Sequence, residues 1–420
     1  MRFSRLRKDI KYYGRTVVGP VVLPFTEWIL SEAEKRGIKR IYFLARDGYL
    51  LYKTAIRICE KRSLSVECRY LYCSRLALRI PSYSIIGDEA LELITLGGYY
   101  ITVKSVLKRA ALSEKEITEI IKELGIKEPE KVISKRELDE LKPLLKNCSS
   151  YKNAVAARAK AAYAEAIAYL RQEGAFENEC FAIADSGWTG SMQRSLRQLL
   201  RAEGFTGKIC GFYFGMYVSP KEKADGDYLT FYFDSKHGAK RKANFNNNLF
   251  ECMLSAPHAM TVGYTKKNDG AIKPIFAHSA SAKQTRMICS QIDGVLEYVD
   301  KNLSYTSSFV YKKELVKIFR LLKRFMVYPT RRFAEVYGKF AFCDDITEGY
   351  YMTLADRSKR KLLKKYMLFP RIFRKAFGLK TATDGELFWP YGAVAFCPAI
   401  LRPWYRFNLK AWEFLKAVLR

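Results

Sequence analysis

The hydrophobic pattern in the first part of the chain predicts strands alternating with helices. Residues 41–44 are an apolar run that ends at a charged turn, Ala45-Arg46-Asp47-Gly48. A pattern with the period of an amphipathic helix follows over residues 49–62, and a second strand pattern covers residues 67–73. A strand, a helix and a strand in this order form a βαβ unit, whose two strands are parallel and joined by a right-handed crossover. Residues 1–37 precede this unit as a helical lead-in.

Further strand patterns predict a larger sheet. They cover residues 181–184, 209–217 and 228–233, and the last two are rich in aromatic side chains. The gaps between them are about one helix or one hairpin long, which favours a mixed or parallel sheet of five or more strands. We therefore expect an α/β core over residues 38–280.

The pattern between the second and third strands changes to charged helices. Two capping boxes mark helix starts in this region, Ser113 with Glu116 and Ser134 with Glu137. We expect residues 91–150, approximately, to form a helical cap outside the sheet. An alanine-rich helix is predicted over residues 154–170.

After residue 280 the pattern predicts helices. Residues 281–324 are a long helical region, and the chain after Tyr328 is basic and aromatic without a strand period. We place a domain boundary near residue 280 and expect residues 281–420 to be a basic, mainly helical C-terminal region.

The composition is that of a folded globular protein, with 49% hydrophobic and 28% charged residues. The ten cysteines include no CxxC pair, and no apolar leader with a cleavage site precedes the first strand pattern. We therefore expect reduced thiols in a cytoplasmic protein. The 73 lysines and arginines against 43 acidic residues give a formal charge of +30, which favours an anionic partner.

Two basic segments near the end of the chain also carry aromatic residues. Residues 357–380 contain ten basic residues and no acidic one, and residues 402–420 repeat the pattern. In the second segment Trp404, Trp412, Leu415 and Leu419 can share one helical face, with Arg406 and Lys410 away from it. A basic amphipathic helix with tryptophan is typical of an anchor on an anionic membrane, here the inner face of the plasma membrane. Nucleic acid is the rival ligand, but no RNP or zinc-finger motif supports it.

Polar residues follow three of the predicted strands. Arg46, Asp47 and Gly48 follow the first, Ser74 and Arg75 the second, and Asp185 the third. In a parallel sheet the carboxyl ends of the strands meet at one edge, so these side chains should converge. Two carboxylates, a hydroxyl and a guanidinium suit Mg²⁺ and a phosphate. The alternative is that the two aspartates only cap helices or form turns.

The residues after Asp185 predict an anion-binding loop between a strand and a helix. Unpaired backbone N–H groups and the helix dipole favour a phosphate there, and the hydroxyls can cap the helix or bind phosphate. A plain capped turn is the alternative, and no Walker A lysine is present. The loop comprises Gly187, Trp188, Thr189, Gly190 and Ser191.

Glu251 and His258 are weaker candidates for the same cleft. They flank the end of a helix predicted over residues 244–254. None of the three histidines has the spacing of a metal ligand, which argues against zinc. A helix end at the surface is the alternative.

Four segments of the chain resemble the haloacid-dehalogenase-like (HAD) superfamily, and more narrowly the predicted hydrolases of that type found in bacterial surface-polysaccharide gene clusters. The segments are residues 42–49 (YFLARDGY), 72–75 (YCSR), 185–193 (DSGWTGSMQ) and 250–257 (FECMLSAP). The resemblance implies a Rossmann-like core with a helical cap. It also implies that Asp47 is the general acid and base, that Ser74 binds phosphate and that Asp185 is a Mg²⁺ ligand.

The chain departs from the pattern of that superfamily at Ala45, which falls where the aspartate nucleophile is expected. A methyl group cannot attack phosphorus, so the usual aspartyl-phosphate mechanism is unavailable at this position. The lysine of the superfamily has no clear counterpart, and Lys152 and Lys160 are the candidates.

The resemblance leads us to expect Mg²⁺-dependent phosphate-group chemistry on a phosphorylated sugar, a nucleotide sugar or a lipid-linked glycan in cell-surface polysaccharide synthesis. Ala45 leaves open whether the protein is catalytic at all. The alternatives are a scaffold that binds a phosphorylated ligand without turnover, and a membrane-associated glycosyl- or phosphoglycosyl-transferase.

Overall fold

A computed structural model describes residues 3–98, 100–218, 226–277, 281–307, 309–376 and 387–418. The strands are β1 Arg40–Leu44, β2 Glu67–Leu71, β3 Cys180–Trp188, β4 Lys208–Met216, β5 Tyr228–Phe233, β6 Thr261–Lys266, β7 Ile272–Phe276, β8 Ala341–Phe342 and β9 Met352–Thr353. The helices are α1 Phe3–Tyr13, α2 Gly19–Lys35, α3 Gly48–Arg62, α4 Arg75–Ile86, α5 Glu89–Ile94, α6 Val103–Lys108, α7 Glu114–Glu123, α8 Lys135–Asn147, α9 Ser149–Gln172, α10 Ser191–Ala202, α11 Ala239–Lys242, α12 Asn247–Leu254, α13 Ala282–Asn302, α14 Tyr311–Met326, α15 Arg331–Tyr337, α16 Leu368–Ala376, α17 Pro390–Val394 and α18 Arg402–Val418.

The first five strands form one parallel sheet in the order β2-β1-β3-β4-β5. This order brings β1 beside β3, with Phe43 paired to Ala184. The predicted βαβ unit and the predicted five-strand sheet are both confirmed. The protein has a mixed α/β architecture consistent with a Rossmann-like fold, and its sheet is parallel throughout.

Alternate side chains of β1 enter two different hydrophobic cores. Ile41 and Phe43 belong to the larger core, which also includes side chains of α2 and α13. Tyr42 and Leu44 belong to the core on the opposite face, beneath α9 and α10. The strand is therefore buried on both faces, which explains why its sequence is a continuous apolar run and not an alternating one.

Helices α5 to α8 lie between β2 and β3, where the sequence predicts a helical insertion. They share a buried cluster of their own with α9. Ser113 and Ser134 form the two predicted capping boxes, each with the glutamate three residues later. The helical block is confirmed, and its role as a cap stays a prediction.

The region after residue 280 is mainly helical, apart from the short pair β8 and β9. Its buried side chains share one core with the sheet and with the N-terminal helices α1 and α2. The domain boundary near residue 280 stays a prediction. Among the described residues, no helix is both long enough and apolar enough to cross a membrane.

Candidate active site

Three carboxylates from distant parts of the chain face one cavity of about 300 Å³ at the carboxyl edge of the sheet. Asp47 follows β1, Asp185 lies near the end of β3, and Glu251 lies on α12. Because β1 and β3 are neighbouring parallel strands, the first two carboxylates come together as the sequence predicts. The order of the strands brings Asp47 and Asp185 together. Glu251 reaches the same cavity because α12 packs into the larger core.

Neither aspartate caps a helix, although Asp47 lies in the turn that joins β1 to α3, as the alternative allows. Asp47 precedes α3, but its side chain makes no capping hydrogen bond to that helix. Instead it accepts a hydrogen bond from the Ser186 hydroxyl. Asp185 lies within β3, paired with Tyr213 of β4, and not in a turn. Both carboxylates are therefore held at the cavity without serving as helix caps.

Burial raises the pKa values of all three carboxyl groups, and the charge of Asp47 raises those of the other two further. Burial, followed by the negative charge of Asp47, raises the pKa of Asp185 to about 8. The same two causes raise the pKa of Glu251 to about 7. Burial also raises the pKa of Asp47, against the hydrogen bond from Ser186. Carboxylic acids that titrate near neutrality beside one another are typical of functional sites.

The end of β3 positions two of the hydrogen bonds at the cavity. Trp188 donates from Nε1 to Glu251 Oε1 at 2.7 Å. Gly187 has φ 112°, and a Cβ at this position would lie 2.3 Å from the Gly215 carbonyl oxygen. A side chain at residue 187 would therefore separate β3 from β4, so glycine is needed where Ser186 and Trp188 turn towards the carboxylates.

The predicted anion-binding loop is shorter than the sequence suggests. β3 continues to Trp188, so only Thr189 and Gly190 separate it from α10, which begins at Ser191. Gly190 occupies the N-cap position with φ 67° and no side chain caps the helix. The alternative that Thr189 or Ser191 caps α10 is therefore wrong. All five residues 187–191 line the cavity, and phosphate binding by them stays a prediction.

Ser74 lines the cavity but its hydroxyl is already engaged. It caps α4 by accepting a hydrogen bond from the Ala77 amide at 3.0 Å, and it donates to the Thr261 carbonyl at 2.6 Å. For the Ser74 hydroxyl to donate to a phosphate oxygen, its hydrogen bond to the Thr261 carbonyl would first have to break. Phosphate binding by Ser74 stays a prediction.

Arginines surround one side of the cavity. Arg46 pairs with Glu348, whereas exposed Arg75 forms no ion pair with any residue that the structure describes. Arg79, one turn further along α4, is 5% exposed and likewise lacks an ion pair in the described chain, but it does not line the cavity. Burial, together with the charge of Arg75, lowers the pKa of Arg79 to about 10. This side of the cavity therefore has positive charge available for an anion.

His258 also lines the cavity, within an aromatic cluster. Its Nδ1 is 2.8 Å from the Ala259 carbonyl and its Nε2 is 2.6 Å from the Tyr70 hydroxyl. Since a carbonyl only accepts, Nδ1 carries the proton and Nε2 accepts from Tyr70. Burial lowers the pKa of His258, which favours a neutral ring. Lys152 and Lys160 are on α9, and neither lines the cavity.

One wall of the cavity comes from a segment that sequence reasoning missed. Residues 341–351, around β8, line the cavity with Asp345, Glu348 and Tyr351 among others, whereas none of the described residues 91–150 does. Arg109 fixes the segment by an ion pair with Asp345 at 2.6 Å, both side chains being buried. The signal that could have found it is the acidic cluster of Asp344, Asp345 and Glu348 inside a basic region.

The donor set fits Mg²⁺ only in part. Within the described ranges, no group of three histidine, cysteine, aspartate or glutamate side chains is arranged to hold a metal ion. However, Mg²⁺ is commonly bound by one or two carboxylates, with phosphate oxygens and water completing the shell. Asp47 and Asp185 supply such a pair, and a cation would relieve the repulsion by Asp47 that contributes to the raised pKa of Asp185.

No model of a known protein family matches the chain, and no curated protein matches it.

Proposed function

We propose that the protein binds a phosphorylated ligand in this cavity and carries out phosphate-group chemistry on it. The observation that carries the proposal is the convergence of Asp47, Asp185 and Glu251 on one cavity, where burial raises the pKa of each carboxyl group. Arg75, which lines the cavity and forms no ion pair with a described residue, adds positive charge on one side. The ligand class, a phosphorylated sugar, a nucleotide sugar or a lipid-linked glycan of cell-surface polysaccharide synthesis, rests on the resemblance alone.

Asp47 and Asp185 are the residues that would hold Mg²⁺, together with oxygens of the ligand phosphate. When bound, the ion would polarise a phosphoryl oxygen as a Lewis acid. Arg75 offsets negative charge that develops on the phosphate. The amides at the start of α10 provide further donors at the same cavity.

Ala45 lines the cavity wall, so the attacking oxygen must come from water or from an acceptor hydroxyl. One of the three carboxylates takes the proton from that oxygen as the new P–O bond forms. The P–O bond to the leaving group breaks, and the leaving oxygen takes a proton from a protonated carboxyl group. Glu251, whose pKa is raised to about 7, suits proton exchange at neutral pH.

A non-catalytic phosphate-binding protein is the second candidate, and Ala45 is the observation that favours it. Such a protein would keep the cavity and its arginines but would release no product. A transferase would require an acceptor hydroxyl in place of water, and its product would be a new phosphodiester or glycoside.

Turnover assays with a panel of sugar phosphates and nucleotide sugars, with Mg²⁺ present, test the proposal. Phosphate release and acceptor products are measured for the parent, Asp47→Asn and Asp185→Asn, with Asp139→Asn on the exposed face of α8 as the matched control. We expect the site variants to lose at least about a hundredfold in rate and the control to lose none. Ligand binding without turnover supports the binding protein. If the parent shows no binding and no turnover with any ligand of the panel, both candidates are contradicted.

A further inference from the structure

Two neighbouring helices near the end of the chain expose large apolar side chains. On α16, Phe369 is 79% exposed, and Ile372 and Phe373 are also exposed. On α18, Trp404 is 56% and Phe407 65% exposed. Single exposed apolar residues are common, but several large ones on two helices that contact each other are typical of an interaction surface.

The exposed residues follow helical spacing on each helix. On α16, positions 369, 372 and 373 fall on one face, and on α18 positions 404, 407, 414 and 415 do the same. The two helices are in contact, because Arg371 pairs with Glu413 at 3.7 Å and the Leu368 amide donates to Asn408 Oδ1 at 3.4 Å. We call these exposed residues of α16 and α18 the apolar face.

The sequence prediction for the last helix is corrected at one position. Trp412 does not share the exposed face with Trp404, because it lies against Arg371, whose Cζ is 5.4 Å from the centre of its ring. Arg406 and Lys410 point away from the face as predicted, over the ring of Tyr328. Leu419 and residues 377–380 of the basic segment lie outside the described residues.

Positive charge borders the apolar face. Residues 357–376 contain nine lysines and arginines and no acidic residue. Arg360, Lys361 and Lys364 are exposed on the 3₁₀-helical segment that leads into α16. An apolar surface beside a segment rich in cations is complementary to a lipid bilayer, whose apolar interior lies beneath negatively charged headgroups.

We propose that α16 and α18 dock on an anionic phospholipid bilayer, with the apolar face at the acyl boundary and the basic segment on the headgroups. A helix that lies in the interface needs this combination of apolar and basic surfaces. A second copy of the chain is disfavoured as the occupant because the formal charge of each copy is +30, so two copies repel each other. The proposal is independent of the chemistry in the cavity.

Vesicle co-sedimentation tests the proposal with the full chain. The parent should bind phosphatidylcholine vesicles that contain phosphatidylglycerol, and high salt should weaken that binding. Phe369→Ser with Phe407→Ser should weaken it by at least about tenfold, and Lys361→Gln with Lys364→Gln should weaken it on anionic vesicles only. The matched control is Tyr305→Ser with Val310→Ser, two exposed residues elsewhere in the C-terminal region, which should bind as the parent does.

Fluorescence supplies a second measurement. Among the tryptophans Trp404 is the exposed one, so vesicles should shift its emission to the blue, and Trp404→Phe should remove the shift. Unchanged vesicle binding by the Phe369 and Phe407 double variant overturns the proposal. Equal binding to vesicles without anionic lipid also overturns it. The proposal is likewise overturned if the parent is a dimer in solution and the same double variant is a monomer.

Discussion

Replacing Asp185 with asparagine should stabilise the folded protein at and above neutral pH. Burial, followed by repulsion from Asp47, raises the pKa of this carboxyl group from 3.8 to about 8. Between those two values the folded protein keeps a proton that the unfolded chain has released. The stability of the parent should therefore fall as the pH rises through this window, because the unfolded state binds fewer protons.

The structure sets an upper limit on the size of this effect. A difference of about 4 pKa units corresponds to about 5 to 6 kcal/mol at 1.36 kcal/mol per unit. Solvent in the cavity screens the carboxylate, and Asp47 and Glu251 share the repulsion. We therefore expect Asp185→Asn to raise the free energy of unfolding by about 2 kcal/mol at about pH 8, and by much less at about pH 5.

Urea unfolding of the parent and Asp185→Asn with a chelator present measures the effect, from about pH 5 to about pH 8. Asp139→Asn on α8 is the control and should follow the parent. Adding Mg²⁺ at the upper pH should stabilise the parent more than the variant, since only the parent has both aspartates. The reasoning is refuted if Asp185→Asn is the less stable protein at about pH 8 in the presence of chelator.

Two further substitutions test the hydrogen bonds and ion pairs around the cavity. Trp188→Phe removes the hydrogen-bond donor to Glu251, so the pKa of Glu251 should rise and the pH profile of activity should shift to higher pH. An unchanged profile would mean that the ionisation of Glu251 does not control activity. Arg109→Met should cost about 3 to 5 kcal/mol in urea unfolding, because it leaves the buried Asp345 charge unpaired, and adding Asp345→Asn should recover part of that loss. A double variant no more stable than Arg109→Met would contradict the ion-pair explanation.

The sheet and the pairing of two aspartates could be predicted because their signals are local. Most of the strands β1 to β5 are short, mainly apolar runs, although β2 contains Glu67 and Arg69. The alternation of strands with helices favours parallel neighbours. A turn sequence that follows each strand then places Asp47 and Asp185 at the same edge. The end of β3 was less predictable, because Asp-Ser-Gly is a common turn sequence, whereas here pairing with β4 extends the strand to Trp188.

The rest of the cavity depends on contacts between residues far apart in sequence. Glu251 reaches the cavity because α12 packs into the larger core, and no spacing in the sequence relates it to Asp47. The wall formed by residues 341–351 has strands of only two residues each, too short for a periodic pattern. Two ion pairs, Arg109 with Asp345 and Arg46 with Glu348, and two hydrogen bonds between Gln284 and Ala341 help to hold it, and such polar contacts leave no trace in hydrophobic periodicity.

The protonation of the three carboxylates at the cavity links phosphate binding to metal binding. A phosphate that enters without a metal adds negative charge beside Asp185 and Glu251, so their pKa values rise and the complex should take up protons near pH 7. A divalent cation between Asp47 and Asp185 favours the ionised carboxylates, so binding with the metal should release protons. Calorimetric titration with a sugar phosphate in buffers of different ionisation enthalpy measures the sign. Uptake with and without Mg²⁺ would mean that the aspartates do not hold the ion, whereas a change from uptake to release would assign the ion to them.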